Sequence, residues 1–188
     1  YQATLYLEKE GQVTKLDGPV SFEVRSIREG VLKGVDYDTF NAYRKEIEQF
    51  QDEMNVLEDL MNENERKLKA IATAASRTPL IPGNLNQRIS EAQKTMVALQ
   101  KDVEGSPARN EIGERNPPSV QDHFGAASRG LSTTYGPTPL HRKSLSLART
   151  MMNELRGRIV SMNQQTIPAL EQVLKDAGAP YIIGQGID

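Results

Sequence analysis

The chain of 188 residues carries 23 Lys and Arg against 25 Asp and Glu, a formal net charge of -2. This length suits one domain, or one domain with a small appendage. Because there is no basic excess to gather phosphate backbones, we expect no nucleic-acid partner. No apolar run approaches the roughly 20 residues of a membrane-spanning helix, so we expect no membrane insertion. The sequence holds no Cys, which excludes disulfides, thiolate metal sites and cysteine catalysis.

Two runs near the start alternate in polarity as half-buried strands do. They cover residues 3–7 and 20–24, and a third apolar stretch at 13–16 lies between them. Glu10-Gly11 and Asp17-Gly18-Pro19 are turn or bulge signals. Because two or three short strands are marginally stable alone, we expect them to complete a sheet whose other strands are missing. A hairpin folded back on the helices is the alternative.

The chain opens on Tyr1 rather than Met and passes directly into this strand pattern. We therefore expect it to be part of a longer protein. Residues 1–30 are expected to form the terminal strands of a β-domain, and residues 31–188 a helical domain. Residues 26–35, which carry Gly30 and Gly34 and show no consistent period, are expected to connect the two.

A heptad seam predicts one long first helix that begins after Asp36, a good N-cap residue, and ends near Ser76, before Pro79 and Pro82. Asn64 is the single polar member of the seam, in a position where a polar residue can fix helix register. The apolar members are Phe40, Tyr43, Ile47, Phe50, Met54, Leu57, Met61, Leu68, Ile71 and Ala75.

Two further helices follow in the sequence pattern. The second is predicted from residue 85 to about residue 103, with Asn84 and Gln87 resembling a capping box. Residues 104–118 form a long irregular loop, and loops of such length are either mobile or functional. A short third helix is predicted within 119–131.

Thr138 as N-cap and Pro139 at the first helical position predict a fourth helix, which Gly178 and Pro180 end. Pro168 lacks a backbone donor, so we expect a kink there rather than an end. The residues expected near one face are Leu140, Leu147, Met151, Leu155, Ile159, Met162, Leu170, Val173 and Ala177.

These elements predict a mainly α fold. We expect an elongated up-down four-helix bundle with two long helices, preceded by a short β-hairpin that completes a missing sheet. Leu57 and Leu155 are expected to be buried on facing seams of the two long helices.

The residues that could act in catalysis or bind a metal show no pattern typical of a functional site. His123 and His141 have no metal-ligand spacing, and the many carboxylates of the first helix lack the Glu-x-x-His motif of di-metal bundles. We predict no catalytic, cofactor-binding or metal-binding residues and no cofactor.

Four runs of loop and cap residues resemble the C-terminal helical region of large bacterial exported proteins, common in Bacteroidetes, which carry sortilin-like or BNR-repeat β-propellers. The runs are Ile112-Gly113-Glu114-Arg115-Asn116-Pro117-Pro118, then Tyr135-Gly136-Pro137-Thr138-Pro139 with His141, then Pro168-Ala169-Leu170-Glu171, and Ala177-Gly178-Ala179-Pro180. The resemblance implies an extracytoplasmic location, in the periplasm, on the outer membrane surface or secreted. It also implies an upstream β-propeller or β-domain as partner, and another protein of a cell-envelope assembly as a further one. Such proteins are often labelled glycosyl hydrolases, a label that rests on fold analogy and transfers no catalytic residue to this chain.

Three functions follow as hypotheses. The first is a non-catalytic helical interaction or spacer domain at the C-terminus of a larger exported β-propeller protein. The second is an accessory domain of a propeller hydrolase whose active site lies upstream, and the third is a free-standing helical adaptor. Hydrolase activity is expected only through the missing propeller.

A domain without a catalytic site acts through its surface, and loops on rigid scaffolds are common recognition sites. We therefore predict a partner-docking segment in residues 112–118, beside the nearby Arg109. Its candidate residues are Arg109, Ile112, Glu114, Arg115 and Pro117.

Overall fold

The computed structural model describes residues 1–25, 33–133 and 135–180. This part of the chain is mainly helical, with one antiparallel strand pair near its start. It divides into two units, Tyr1–Gly34 and Val35–Asp188. The predicted boundary between residues 30 and 31, and most of the predicted connector at 26–35, lie outside the described residues.

The first unit is a hairpin of β1 (Gln2–Lys9) and β2 (Gln12–Ser21). The stretch at 13–16 and the start of the run predicted at 20–24 belong to the single strand β2. The Asp17-Gly18-Pro19 signal is a bulge, because the pairing register shifts on both sides of Leu5. Gly18 is required there: its φ is 93° and a Cβ would lie 2.6 Å from the Ala3 carbonyl oxygen.

The second unit begins with α1 (Tyr37–Ser76), which at about 1.5 Å per residue is about 60 Å long. Asp36 caps it as predicted: its carboxylate accepts hydrogen bonds from the Thr39 N–H at 2.8 Å and the Thr39 hydroxyl at 2.7 Å. These bonds lower the pKa of Asp36. The predicted seam is confirmed, since its members from Tyr43 to Ala75 are buried and only Phe40 is partly exposed.

Next come α2 (Leu85–Glu104), the short α3 (Pro107–Glu111) and α4 (Val120–Ser128), which continues as a 3₁₀ turn at Arg129–Leu131. The predicted capping box at Asn84 is wrong. Asn84 makes no capping bond through its side chain, and Gln87 donates instead to Glu91 one turn along the helix. The capping box of this region belongs to α4, between Ser119 and Asp122.

The last helical stretch comprises α5 (Pro139–Ser161), a π-helical turn at Met162–Thr166 and α6 (Ile167–Asp176). The predicted cap is confirmed, with Thr138 and His141 forming a second capping box. The helical stretch continues past Pro168, as predicted. In place of the predicted kink, the structure has the π turn, which lies just before this proline. Leu140 and Leu147 do not belong to the buried face: they are 67% and 40% exposed.

The buried face of this stretch has a break in spacing. Its members lie three and four residues apart until Met162 and Ile167, which are five apart, and then the three-four spacing resumes. A π turn takes up one extra residue, so it returns the later residues to the same face. The members are Leu145, Ala148, Met152, Leu155, Ile159, Met162, Ile167, Leu170 and Leu174.

Side-chain contacts give the direction of each helix against α1. Gln100 of α2 donates to Glu65, and Gln121 of α4 donates to Glu58. Farther along α4, the Phe124 ring packs 5.3 Å from that of Phe50. The later residues therefore meet earlier positions of α1, so α2 and α4 follow one another along α1 and both run antiparallel to it.

Helix α5 runs parallel to α1. Arg149 pairs with Glu46 at 3.3 Å and Arg156 with Glu53 at 2.8 Å, so both partners advance together by seven residues. The predicted four-helix bundle is not confirmed. The loop after α2 does not reverse the chain, which leaves α2 and α4 in succession on one side of α1 rather than as two separate bundle helices.

Candidate functional site

The predicted docking loop is closed on itself by Asn116. The side-chain amide of Asn116 donates to the Ser106 carbonyl at 3.1 Å and to Asn110 Oδ1 at 2.6 Å. Gly105, with φ of 87°, ends α2 and turns the chain into this loop. The buried Oδ1 of Asn116 has no hydrogen-bond partner in the described chain. The loop is therefore held in one shape from within.

Of the five predicted docking residues, Arg109 and Pro117 line a cleft beside the loop, whereas Ile112, Glu114 and Arg115 do not. Arg109 faces Glu114 at 3.8 Å. Ile112 lies at the tip and is 71% exposed. Arg115 is also exposed, and its guanidinium makes no hydrogen bond or ion pair with the described residues. The structure thus places a charged cleft on one part of the loop and an apolar tip on another.

The cleft has a volume of about 320 Å³ and is also lined from the helices. Lys101 and Asp102 at the end of α2 contribute to it, as does Met151 of α5. Asp102 is paired with Arg158 at 3.4 Å, whereas the Lys101 ammonium makes no bond to the described residues. Sequence reasoning missed these residues, since helix positions outside the seam carry no signal of what lies beside them.

The cleft can bind polar groups but has no catalytic arrangement among its described lining residues. Its hydroxyls belong to Ser106 and Ser119, and the Ser119 hydroxyl is engaged with Asp122 in the α4 capping box. Hydrogen bonds from the Ser119 backbone N–H and then its hydroxyl lower the pKa of Asp122, which keeps this carboxyl an acceptor. No His lines the cleft to act as a base.

Outside the cleft, His141 belongs to a helix cap and Glu104 is a carboxyl with a raised pKa. His141 Nδ1 accepts the Thr138 backbone N–H at 3.1 Å, as a helix cap. Burial raises the pKa of Glu104, and the negative charges of Glu58 and Glu65 raise it further. Among the described residues, no three His, Cys, Asp or Glu side chains stand close enough to hold a metal ion.

A second candidate surface is one face of the hairpin. Side chains alternate along β1, so Ala3, Leu5 and Leu7 share a face. Their partners on β2 are Val20, Asp17 and Thr14, in that order, and the Tyr1 ring stacks on Phe22 at 5.7 Å at the open end. We call this set the apolar face: Tyr1, Ala3, Leu5, Leu7, Val20 and Phe22.

Among the described residues of the hairpin unit, nothing covers the apolar face. Its five large side chains are 47% to 74% exposed, although each is a residue that gains stability on burial. The opposite face carries the polar Gln2, Thr4, Glu8 and Lys15, together with two exposed apolar side chains, Tyr6 and Val13. The apolar face thus has more large apolar side chains than the opposite face, an excess that is typical of a strand pair that packs on a second layer.

Comparison with known proteins gives no relative for this chain: no family model, curated protein or solved structure matches it. Within the described residues, no helix is both long and apolar enough to cross a membrane.

Proposed function

We propose that this chain is a non-catalytic helical interaction or spacer domain of a larger exported protein, with a hairpin that completes a β-sheet formed by the upstream part. The observation that carries the proposal is the uncovered apolar face of the hairpin. Two strands with five large apolar side chains in water are marginal alone, so a covering β-layer would stabilise them.

The helical unit suits a spacer in this proposal. Helix α1 offers about 60 Å of continuous helix, and its seam is covered by the other helices along this length. The ion pairs between α1 and α5 show that the two helices are parallel and in register, and the buried core between them favours a stiff element over a flexible linker.

The exported β-propeller protein, its bacterial origin and the extracytoplasmic location rest on the resemblance of the loop and cap runs alone. The gene gives the first test: a reading frame that encodes a β-propeller and a β-domain before Tyr1 supports the proposal. A start codon directly before Tyr1 contradicts it and favours the free-standing adaptor.

Activity gives the second test. Residues 1–188 and the complete gene product, with and without residues 31–188, are assayed on glycoside and peptide substrates. The proposal expects no turnover by residues 1–188. Turnover that is lost on substitution of a single carboxylate in these residues would overturn it. Activity of the complete protein that disappears without residues 31–188 favours the accessory domain of a propeller hydrolase.

The docking loop is tested separately in the complete protein. Ile112→Asp combined with Arg115→Glu changes two exposed side chains on the loop and leaves the Asn116 bonds in place. We expect the variant to keep its melting temperature and to lose recovery of cell-envelope partners on co-purification. Unchanged recovery would make the loop a structural element only.

A further inference from the structure

The two free edges of the hairpin differ in their ability to pair with another strand. Strand β2 carries Gly18 and Pro19 and a bulge. Pro19 lies next to Val20, which pairs with Ala3, so the donor that Pro19 lacks belongs to the outer edge of β2. A strand broken in this way is typical of the outer edge of a sheet.

The outer edge of β1 is unbroken. Tyr1 and Phe22 exchange two backbone hydrogen bonds, each of 3.0 Å. In an antiparallel pair, residues alternate between those that bond to the partner and those whose backbone groups point away. The odd-numbered residues of β1 therefore bond to β2, and Gln2, Thr4, Tyr6 and Glu8 present their N–H and C=O groups to the free edge.

We propose that a strand of a partner β-sheet pairs with this free edge of β1 and that β2 becomes the outer edge of the enlarged sheet. The apolar face then packs on the second layer of the partner. This inference rests on the proposed function. It adds which edge of the hairpin pairs, on which side the sheet is extended and what kind of domain supplies the new strand.

A layered β-domain fits better than a second copy of the hairpin. Two hairpins paired through β1 form a four-stranded sheet whose apolar face remains open to water on one side. A partner with two layers satisfies both the backbone groups of β1 and the apolar face.

The first experiment measures amide hydrogen exchange by NMR in residues 1–188 and in the complete gene product. We expect the amides of Thr4, Tyr6 and Glu8 to become protected only in the complete protein, while those of Val13 and Lys15 on the outer edge of β2 exchange rapidly in both. Slowing by at least about 100-fold is expected, since a paired sheet amide exchanges only when the sheet opens.

The outcomes separate the two proposals. Protection of Val13 and Lys15 with exposed Thr4 and Tyr6 amides overturns the edge assignment and leaves the proposed function standing. No protection on either edge overturns both proposals. The β1 amides could also be protected already when residues 1–188 are studied by themselves, with a dimer in sedimentation. This result would show that the partner is a second copy, and it would overturn the proposal of a layered β-domain.

The second experiment uses a matched pair of variants in the complete protein. Tyr6 and Lys15 are direct partners across the hairpin, and the N–H of each points outward. Tyr6→Pro removes one donor from the β1 edge, and Lys15→Pro removes one from the β2 edge. We expect Tyr6→Pro alone to lower the melting temperature of the complete protein, and equal effects of the two variants would contradict the proposal.

Discussion

At the scale of single residues, Asn64 shows how a polar group is tolerated in the seam of α1. Its side chain is fully buried, its Nδ2 donates to the Ile159 carbonyl at 3.3 Å, and its Oδ1 accepts from Asn163 Nδ2 at 2.8 Å. Both ends of the amide are therefore satisfied. Because both partners flank the entry to the π turn, Asn64 fixes α1 against that turn.

Asn64→Ala is expected to lower the free energy of unfolding by about 1 to 3 kcal/mol, since it leaves the Asn163 amide without its partner and removes one of the two bonds to the Ile159 carbonyl, which keeps the bond from the Met162 N–H. A double-mutant cycle with Asn163→Ala, measured by urea unfolding, is expected to give a coupling of about 0.5 kcal/mol or more. Additive effects of the two substitutions would mean that the bond between them contributes nothing to stability.

Leu57 and Leu155 are each 5% exposed in the core, as expected from the sequence. Truncation of either to Ala is expected to cost about 2 to 5 kcal/mol in chemical denaturation, because it removes buried methyl groups and leaves a cavity. Val56→Ala is the control: Val56 is 67% exposed, so its change is expected to stay within about 0.5 kcal/mol.

At the scale of elements, the cap of α4 makes stability depend on pH. Hydrogen bonds from Ser119 lower the pKa of Asp122 in the folded state, so its carboxylate stabilises the fold above the unfolded pKa of about 3.9. This contribution is lost as the pH falls through the lower folded pKa. In urea unfolding, the advantage of the wild type over Asp122→Asn is expected to shrink between about pH 6 and about pH 3. A constant difference would show that the charge of Asp122 does not matter.

Two glycines give opposite predictions. Gly136 has φ of 84°, and a Cβ there would overlap the Val35 side chain, so Gly136→Ala is expected to destabilise by more than about 1 kcal/mol. Gly157 lies inside α5 with open space around its position, so Gly157→Ala is expected to stabilise by about 0.5 to 1 kcal/mol. Thermal unfolding of the two variants should shift the midpoint in opposite directions.

At the scale of the whole molecule, the sequence predicted which residues form helices better than how the helices are arranged. Caps and breakers act within a few residues, so Asp36, Thr138 and Gly178 located helix ends correctly. The direction of α4 depends on how the loop at 105–119 folds. That loop is shaped by Asn116 bonds to residues six and ten positions earlier, a pattern that helical spacing does not contain.

For the candidate sites, too, the sequence predicted what depends on neighbouring residues and missed what depends on residues far apart in the chain. The alternation of β1 predicted a strand with one apolar face; the strand and this face are present, but their side chains are exposed rather than half-buried. The cleft beside the loop was not predictable, because Met151 reaches it from a helix about fifty residues away from Lys101 in sequence.

The π turn also has a consequence for insertions and deletions. The stretch from α5 to α6 contains one residue more than its buried face requires, so loss of one residue within Met162–Thr166 would let a regular α-helix present the same side chains to α1. Deletion of Gln164 therefore keeps the buried face in register, but it places Pro168 inside a regular α-helix, where a proline costs about 3 kcal/mol. We expect a folded unit with a lowered melting temperature. Deletion of the exposed Asn153, in regular helix, rotates every later residue by about 100° away from the core and is expected to unfold the unit. Equal damage by both deletions would show that the widened turn is needed for its own shape and does not merely accommodate an extra residue.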